Sequence, residues 1–250
     1  MKRIIQILCG TVLISFTACD KEATELIPSV NAAFAVIHAA PGAPTVDIVV
    51  DGLVANGGRR LTYRTLSAGG GAGAGGIYMP LATGTRNIKI STDSGKTNVV
   101  NADLSFATNS ASTIVVYDTL AAMGAPSLRF VQLSDDLTAP TGTNVHVRFL
   151  HLAPLAPAVD VTLIRGANID SVTITNRSYL GATPNAATLS TFTPITGGAA
   201  YTFKVKLAGT QTVVITGNLA ANLSVGRIVT LSAVGSAKGQ ALGVLVARHL

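Results

Sequence analysis

The segment Phe34-Ala-Val-Ile-His38-Ala-Ala-Pro41-Gly-Ala-Pro44-Thr-Val46-Asp47-Ile48 returns 113 residues later as Val147-Arg-Phe-Leu-His151-Leu-Ala-Pro154-Leu-Ala-Pro157-Ala-Val159-Asp160-Val161. In both versions an apolar, β-prone run ends in histidine, a Pro-x-x-Pro bend follows, and a second β-prone run opens on Val-Asp. Proline fixes φ and lacks a backbone donor, so the bend separates two strands. Fainter echoes keep the same order: Tyr78-Met79-Pro80-Leu81 with Phe192-Thr193-Pro194-Ile195, Leu104 with Leu219, and 114–117 with 229–232. Such a period exceeds the roughly 20–50 residues of solenoid repeats and suits two tandem domains of ordinary size.

Outward from these landmarks, short runs rich in Val, Ile and Thr recur at 32–39, 46–51, 86–91, 113–118 and 128–133. They recur again at 145–152, 159–164, 172–175, 201–207, 212–216, 227–233 and 242–247. Gly, Pro, Asn and Ser clusters separate them, and beyond the N-terminus no long apolar period of 3.6 is visible. The expected fold class is all-β: two tandem immunoglobulin-like β-sandwich domains after a lipoprotein signal peptide, without the Cys-Trp-Cys marks of antibody domains. The expected division is 1–18 signal peptide, 19–30 lipidated tether, 31–133 first sandwich, 134–143 linker and 144–250 second sandwich. So short a linker predicts domains set end to end.

Lys2 and Arg3 precede an apolar run at 4–16, which Asp20, Lys21 and Glu22 close off. This is the pattern of a secretory signal, and it falls short of the roughly 20 apolar residues of a membrane span. Phe16-Thr17-Ala18-Cys19 resembles the lipobox of bacterial lipoproteins, with Phe16 where leucine is usual. That resemblance implies cleavage before Cys19 and its acylation with palmitate-like chains; each buried methylene adds about 0.8 kcal/mol to anchoring. The implied address is the bacterial cell envelope, anchored through membrane lipid at the outer membrane, on its periplasmic or its surface face. A plain secretory cut is the alternative. Either cleavage discards Cys9 and lowers the formal net charge from +6 to +4.

Charged residues make up 12% of the chain, about half the usual share, while 48% are hydrophobic, which excludes a disordered polyelectrolyte. Two cysteines cannot build a disulfide scaffold or an all-cysteine zinc site. The stretch 67–76 is rich in glycine but lacks the Gly-Lys-Ser/Thr ending of a phosphate loop. No Gly-x-Ser-x-Gly elbow is present and no acid pair repeats, so neither hydrolase nor glycosidase chemistry is indicated. Arg59, Arg60 and Arg64 form a basic cluster without interleaved aromatics; they read as solvated loop residues, and nucleic acid is not an expected partner. Trp is absent and Tyr78 and Tyr201 sit on apparent strands, which weakens carbohydrate stacking as a function.

The repeated His-x-x-Pro-x-x-Pro-x-Val-Asp element resembles the domain family of unknown function numbered 4397. The first copy keeps the family's Asp-Gly turn as Asp51-Gly52, the second has Arg165-Gly166, and the family's acid before its Ala-Pro pair is Gly42 and Leu155 here. The resemblance implies tandem extracellular β-sandwiches and no assigned activity. The motif residues His38, Pro41, Pro44, Asp47, His151, Pro154, Pro157 and Asp160 admit two readings. Each His-Asp pair is either a general base or two metal ligands, or the histidine pins the proline bend by hydrogen bonds to backbone or aspartate. The second reading is preferred, because two ligands do not close a zinc site. The expectation is therefore a non-catalytic, cofactor-free adhesion, binding or scaffolding protein, with a carbohydrate-binding accessory lipoprotein as the alternative. Its partner would be an envelope or extracellular protein or glycan.

Overall fold

The computed structural model describes residues 32–67, 76–92, 97–119, 128–167, 169–219, 223–236 and 240–249. Cys19, the signal and tether segments, and most of the glycine-rich stretch lie outside them. The first half runs β1 (Ala32–His38), β2 (Asp47–Val50), β3 (Leu53–Val54), β4 (Thr65–Leu66), β5 (Met79–Leu81), β6 (Gly84–Thr92), β7 (Thr97–Phe106), β8 (Ser110–Tyr117) and β9 (Arg129–Asp135). The second runs β10 (Asn144–His151), β11 (Val159–Arg165), β12 (Asp170–Arg177), the short helix α1 (Ala186–Ser190), β13 (Thr193–Thr196), β14 (Tyr201–Leu207), β15 (Val213–Asn218), β16 (Ile228–Ser236) and β17 (Gln240–Arg248).

The chain is all-β and forms two sandwiches. In the first, the sheet β4-β1-β8-β9, with β5 also on β1, faces the sheet β3-β2-β6-β7; in the second, β13-β10-β16-β17 faces β12-β11-β14-β15. Each sandwich pairs its first strand in parallel with a late one, β1 with β8 and β10 with β16, while the other pairings are antiparallel. Strand spacing along a sequence does not reveal this parallel pairing. Pro80 sits opposite Ala33 on edge strand β5, and Pro194 opposite His146 on edge strand β13, positions where a missing N–H is tolerated. The turn Asp51-Gly52 joins β2 to β3 with φ values of 48° and 85°, the doubly left-handed geometry that Asp-Gly favours in two-residue hairpins.

One repeat echo shifts by two residues. Ala33 pairs with Ala111 and His146 with Ile228, so Thr113 corresponds to Thr230, and 114–117 corresponds to 231–234 rather than 229–232. A two-residue slip leaves every side chain on its original face, so alternation alone could not detect it. Strand β7 escapes a search for Val, Ile and Thr runs because Asn101, Asp103 and Ser105 on its exposed face alternate with Val100, Leu104 and Phe106 on the core face; its pairing with β6 makes it a strand.

The strands divide into two kinds. On β6 and β14 apolar and polar residues alternate: Ile88 and Ile90, or Tyr201, Phe203 and Val205, point into a core, while Lys89, Lys204 and Lys206 are partly exposed. On β1, β8, β10 and β16 both faces are buried. Phe34, Val36, Ile114 and Val116 belong to the first sandwich's core, and Val147, Phe149, Val229 and Leu231 to the second's. The opposite faces form a third cluster containing Ala35, Ile37, Val115, Leu133, Leu150, Leu152 and Val234, drawn from both halves. The sandwiches are therefore not set end to end. They pack through the outer faces of their inner sheets, because those faces are too apolar to leave in water; a fully buried Leu or Ile is worth about 1.5–3 kcal/mol. Ser134 and Asp135, placed in the linker by composition, are the last residues of β9, and Asp135 is buried. No helix among the described residues is long and apolar enough to cross a membrane.

Candidate functional site

His38 and His151 occupy the last position of β1 and β10 and are buried. Nε2–H of His38 donates to Pro44 O at 3.2 Å, and its Nδ1 accepts the Ala40 N–H at 3.5 Å. His151 repeats the pattern on Pro157 O at 3.0 Å and Ala153 N–H at 3.3 Å. One nitrogen must donate and the other accept, so both rings are assigned the neutral Nε2–H tautomer. Burial holds both imidazoles below the usual histidine pKa, partly offset by the proline carbonyls. With both nitrogens engaged, neither ring retains a lone pair for a metal or a substrate proton.

Pro41 and Pro154 are buried while Pro44 and Pro157 face solvent, so each bend turns its first proline inward. The residue after the buried proline is left-handed: Gly42 at φ 77° and Leu155 at φ 62°. Glycine accepts this without cost, whereas a branched side chain is strained there. The two aspartates have different partners. Asp47 is buried and accepts from Arg60 Nε at 3.0 Å and Asn56 Nδ2 at 3.4 Å. Asp160 is more open and accepts the backbone N–H of Asn176 at 2.7 Å and of Gly209 at 2.9 Å, bonds that lower its pKa. Neither aspartate hydrogen-bonds the neighbouring histidine, so the His-Asp pairing considered from sequence is not formed.

The densest ionisable cluster lies between the sandwiches. Arg148 Nη1 meets Asp135 Oδ1 at 2.8 Å, with both side chains essentially inaccessible. Asp135 Oδ2 accepts from Thr113 Oγ1 at 2.5 Å and Tyr78 OH at 2.6 Å. Arg148 also donates Nε–H to Thr230 Oγ1 at 2.9 Å and Nη2–H to Thr113 Oγ1 at 3.5 Å, and its guanidinium lies 4.5 Å from the Phe192 ring centroid. His249 bridges the remainder, 2.7 Å from Thr230 Oγ1 through Nε2 and 2.6 Å from Tyr78 OH through Nδ1.

A single direction of donation satisfies this ring: Arg148 to Thr230, Thr230 to His249, His249 Nδ1–H to Tyr78, and Tyr78 to Asp135. Burial, then the neighbouring Asp135, push the Tyr78 hydroxyl well above its usual pKa. Burial also lowers Arg148, which Asp135 opposes. For His249, burial and Arg148 outweigh Asp135 and bring its pKa down to about 4.

These residues occupy equivalent places in the two halves. Asp135 lies opposite Ala111 on β8, and the His249 N–H bonds Ile228 O on β16; Ala111 and Ile228 are themselves equivalent. Thr113 likewise answers Thr230, Tyr78 answers Phe192, and Ala35 answers Arg148. The seam thus brings matching positions of both sandwiches together with different side chains on each side.

Sequence reasoning did not single out Asp135, Arg148, Thr113, Thr230 or His249, because nothing local marks residues that meet only across the seam. A readable signal did exist elsewhere. Tyr63 and Tyr179 each precede the residue whose N–H bonds the motif histidine's carbonyl, and their rings meet His38 and His151 edge-on at 6.5 and 6.2 Å. Arg64 is not a solvated loop residue: its guanidinium crosses to the second sandwich and donates to the carbonyls of Val234 and Ala241. Arg60 is the partner of Asp47. Two further tyrosines are held inside, since Tyr117 OH donates to Gly181 O at 3.0 Å and Tyr201 OH donates to Thr196 O. Open grooves flank Asp136, a mixed one lined by Asn109, Ser110, Gln132 and Ser134 on one side and a more apolar one lined by His146, Phe192 and Pro194 on the other. Among the described residues no group of three or more His, Cys, Asp or Glu is placed to hold a metal ion.

No curated protein matches the chain. A solved leucine-rich repeat protein from Bacteroides thetaiotaomicron is similar over 84% of this chain and 26% of its own length, at 8% identity and a TM-score of 0.18. This chain therefore spans about a quarter of that protein. A family model, Domain of unknown function (DUF4397), matches residues 32–162, from β1 through the second histidine bend into β11. With more than half of its length matched, the chain belongs to the DUF4397 family.

Proposed function

We propose that this protein is a non-catalytic, lipid-anchored module of the bacterial cell envelope, built from two copies of the family domain, at 31–133 and 144–250. Its role is adhesion, binding or scaffolding. The observation that carries this reading is that the repeated histidines spend both ring nitrogens on their own backbone. What the two copies share is thus a device for shaping a bend. The extensive seam supports the same reading, since two sandwiches joined through their inner sheets make a stiff presenting unit. Anchoring through acylated Cys19 rests on the lipobox resemblance of 16–19, and the partner is an envelope or extracellular protein or glycan.

Crosslinking in intact cells, followed by identification of the captured partner, tests this function. A defined envelope or extracellular protein partner supports it. Glycan-array binding, lost on substituting a half-buried tyrosine such as Tyr63, would favour the carbohydrate-binding alternative. Hydrolysis of an ester, peptide or glycoside by the purified protein, abolished by one substitution, would overturn the non-catalytic role. Cys19→Ser tests the anchor separately: the variant is expected to lose acylation and membrane attachment.

A further inference from the structure

We propose that the polar corner of the seam around His249 is an acid-operated latch, in which protonation of His249 releases the end of β17 from Tyr78 and Asp135 and admits water there. The ring of hydrogen bonds has a place for one imidazole proton only. Nδ1–H is used on Tyr78 OH, and Nε2 is the acceptor of the Thr230 hydroxyl, whose oxygen already takes the Arg148 Nε–H. A proton added at Nε2 points at a hydroxyl that is itself donating to it. That hydroxyl must turn away, and two cations then converge on one oxygen.

Charge leads to the same result. The titratable or charged groups facing His249 are Tyr78 from the segment before β5, Asp135 from β9 and Arg148 from β10; Thr113, Thr230 and Phe192 complete its surroundings without charge. One carboxylate therefore serves the guanidinium and would have to serve an imidazolium 3.9 Å away as well. Burying an uncompensated charge is costly in a low-dielectric site, and opening that corner lets water in to relieve it. The low pKa of His249 is in keeping with this frustration.

Opening at this place leaves the rest of the fold intact. The seam cluster is separate from the two sandwich cores, and His249 follows the end of β17 instead of sitting mid-strand. The apolar part of the seam, held by about 1.5–3 kcal/mol for each buried Leu or Ile, outweighs one protonation and stays shut.

The test is hydroxyl-radical footprinting of the full-length protein as pH is lowered from neutral to about 4. Labelling of Tyr78 and Phe192 beside His249 is expected to rise several-fold, while Leu150 and Leu152 in the apolar seam and Ile48, Ile90, Val161 and Leu163 in the cores stay protected. His249→Asn keeps a donor and an acceptor but cannot charge, and its corner should stay closed over the same range. Unchanged labelling of Tyr78 and Phe192 at low pH overturns the proposal. So does simultaneous labelling of seam and cores, or equal opening in His249→Asn. If that variant is already open at neutral pH, NMR titration of His249 in the unaltered protein decides. A midpoint well below the usual histidine value supports the latch, and an ordinary midpoint overturns it.

Discussion

Asp135→Asn removes one charge from the seam and changes little else. The carboxylate is inaccessible, 2.8 Å from Arg148, and accepts two hydroxyl hydrogen bonds. Asparagine can still accept from Tyr78 or Thr113, but it leaves the guanidinium buried without a counter-ion. Breaking a buried pair from one side costs about 3–5 kcal/mol. In a chain of this size that corresponds to a fall in Tm of roughly 6–20 °C. Arg148→Met should cost a similar amount by stranding Asp135. The double variant removes both charges, so its cost should fall short of the sum by about 2 kcal/mol or more. The loss need not vanish, because hydroxyls arranged around the ion pair lose partners worth about 1–3 kcal/mol each. The assay is urea unfolding at neutral pH for the four proteins, repeated at high salt, which should barely alter the coupling because the pair is shielded from solvent. Two single variants that each cost under about 1 kcal/mol, the range of an exposed pair, would refute the reasoning.

Leu155→Gly should stabilise the protein by about 0.5–1 kcal/mol, since relief of a left-handed leucine exceeds glycine's added chain entropy; a lowered Tm would count against the strain. His38→Ala should cost about 2–4 kcal/mol, from a cavity plus unpaired Pro44 O and Ala40 N–H, and calorimetry will show it. His38, His151 and His249 are all held neutral by burial, so below about pH 6.5 the unfolded chain takes up protons that the folded one refuses. Stability should therefore fall as pH drops from that value, with His249 alone contributing about 3 kcal/mol down to pH about 4. Urea midpoints that stay flat across this window would contradict the assignment.

Much of the fold is legible in the sequence. The strand 201–207 coincides with β14, and the β1, β10 and β11 runs agree to within a residue at each end. These strands are rich in Val, Ile and aromatic residues, a signal contained in each strand itself. Strand β7 alternates, Val100, Leu104 and Phe106 against Asn101, Asp103 and Ser105, but as an edge strand it carries too many polar residues to stand out as an apolar run. The motif residues His38 and His151 were legible through repetition, and their tyrosine neighbours Tyr63 and Tyr179 would have been on the same ground. Asp135 looked like linker because its own neighbours, Ser134 and Asp136, are polar.

The chain's pattern by itself determined an all-β protein of two similar halves, each turned at a proline bend that follows a histidine, because propensity, alternation and turn chemistry act over a few residues. Only the tertiary structure decided that the halves meet through their inner sheets. Apolar residues on both faces of β1 and β10 report burial on each side without naming what lies there. Arg148 and Asp135 likewise become a pair, and His249 their neighbour, only when strands far apart in sequence are laid against one another. Coulomb attraction and desolvation depend on that distance, and no local pattern encodes it.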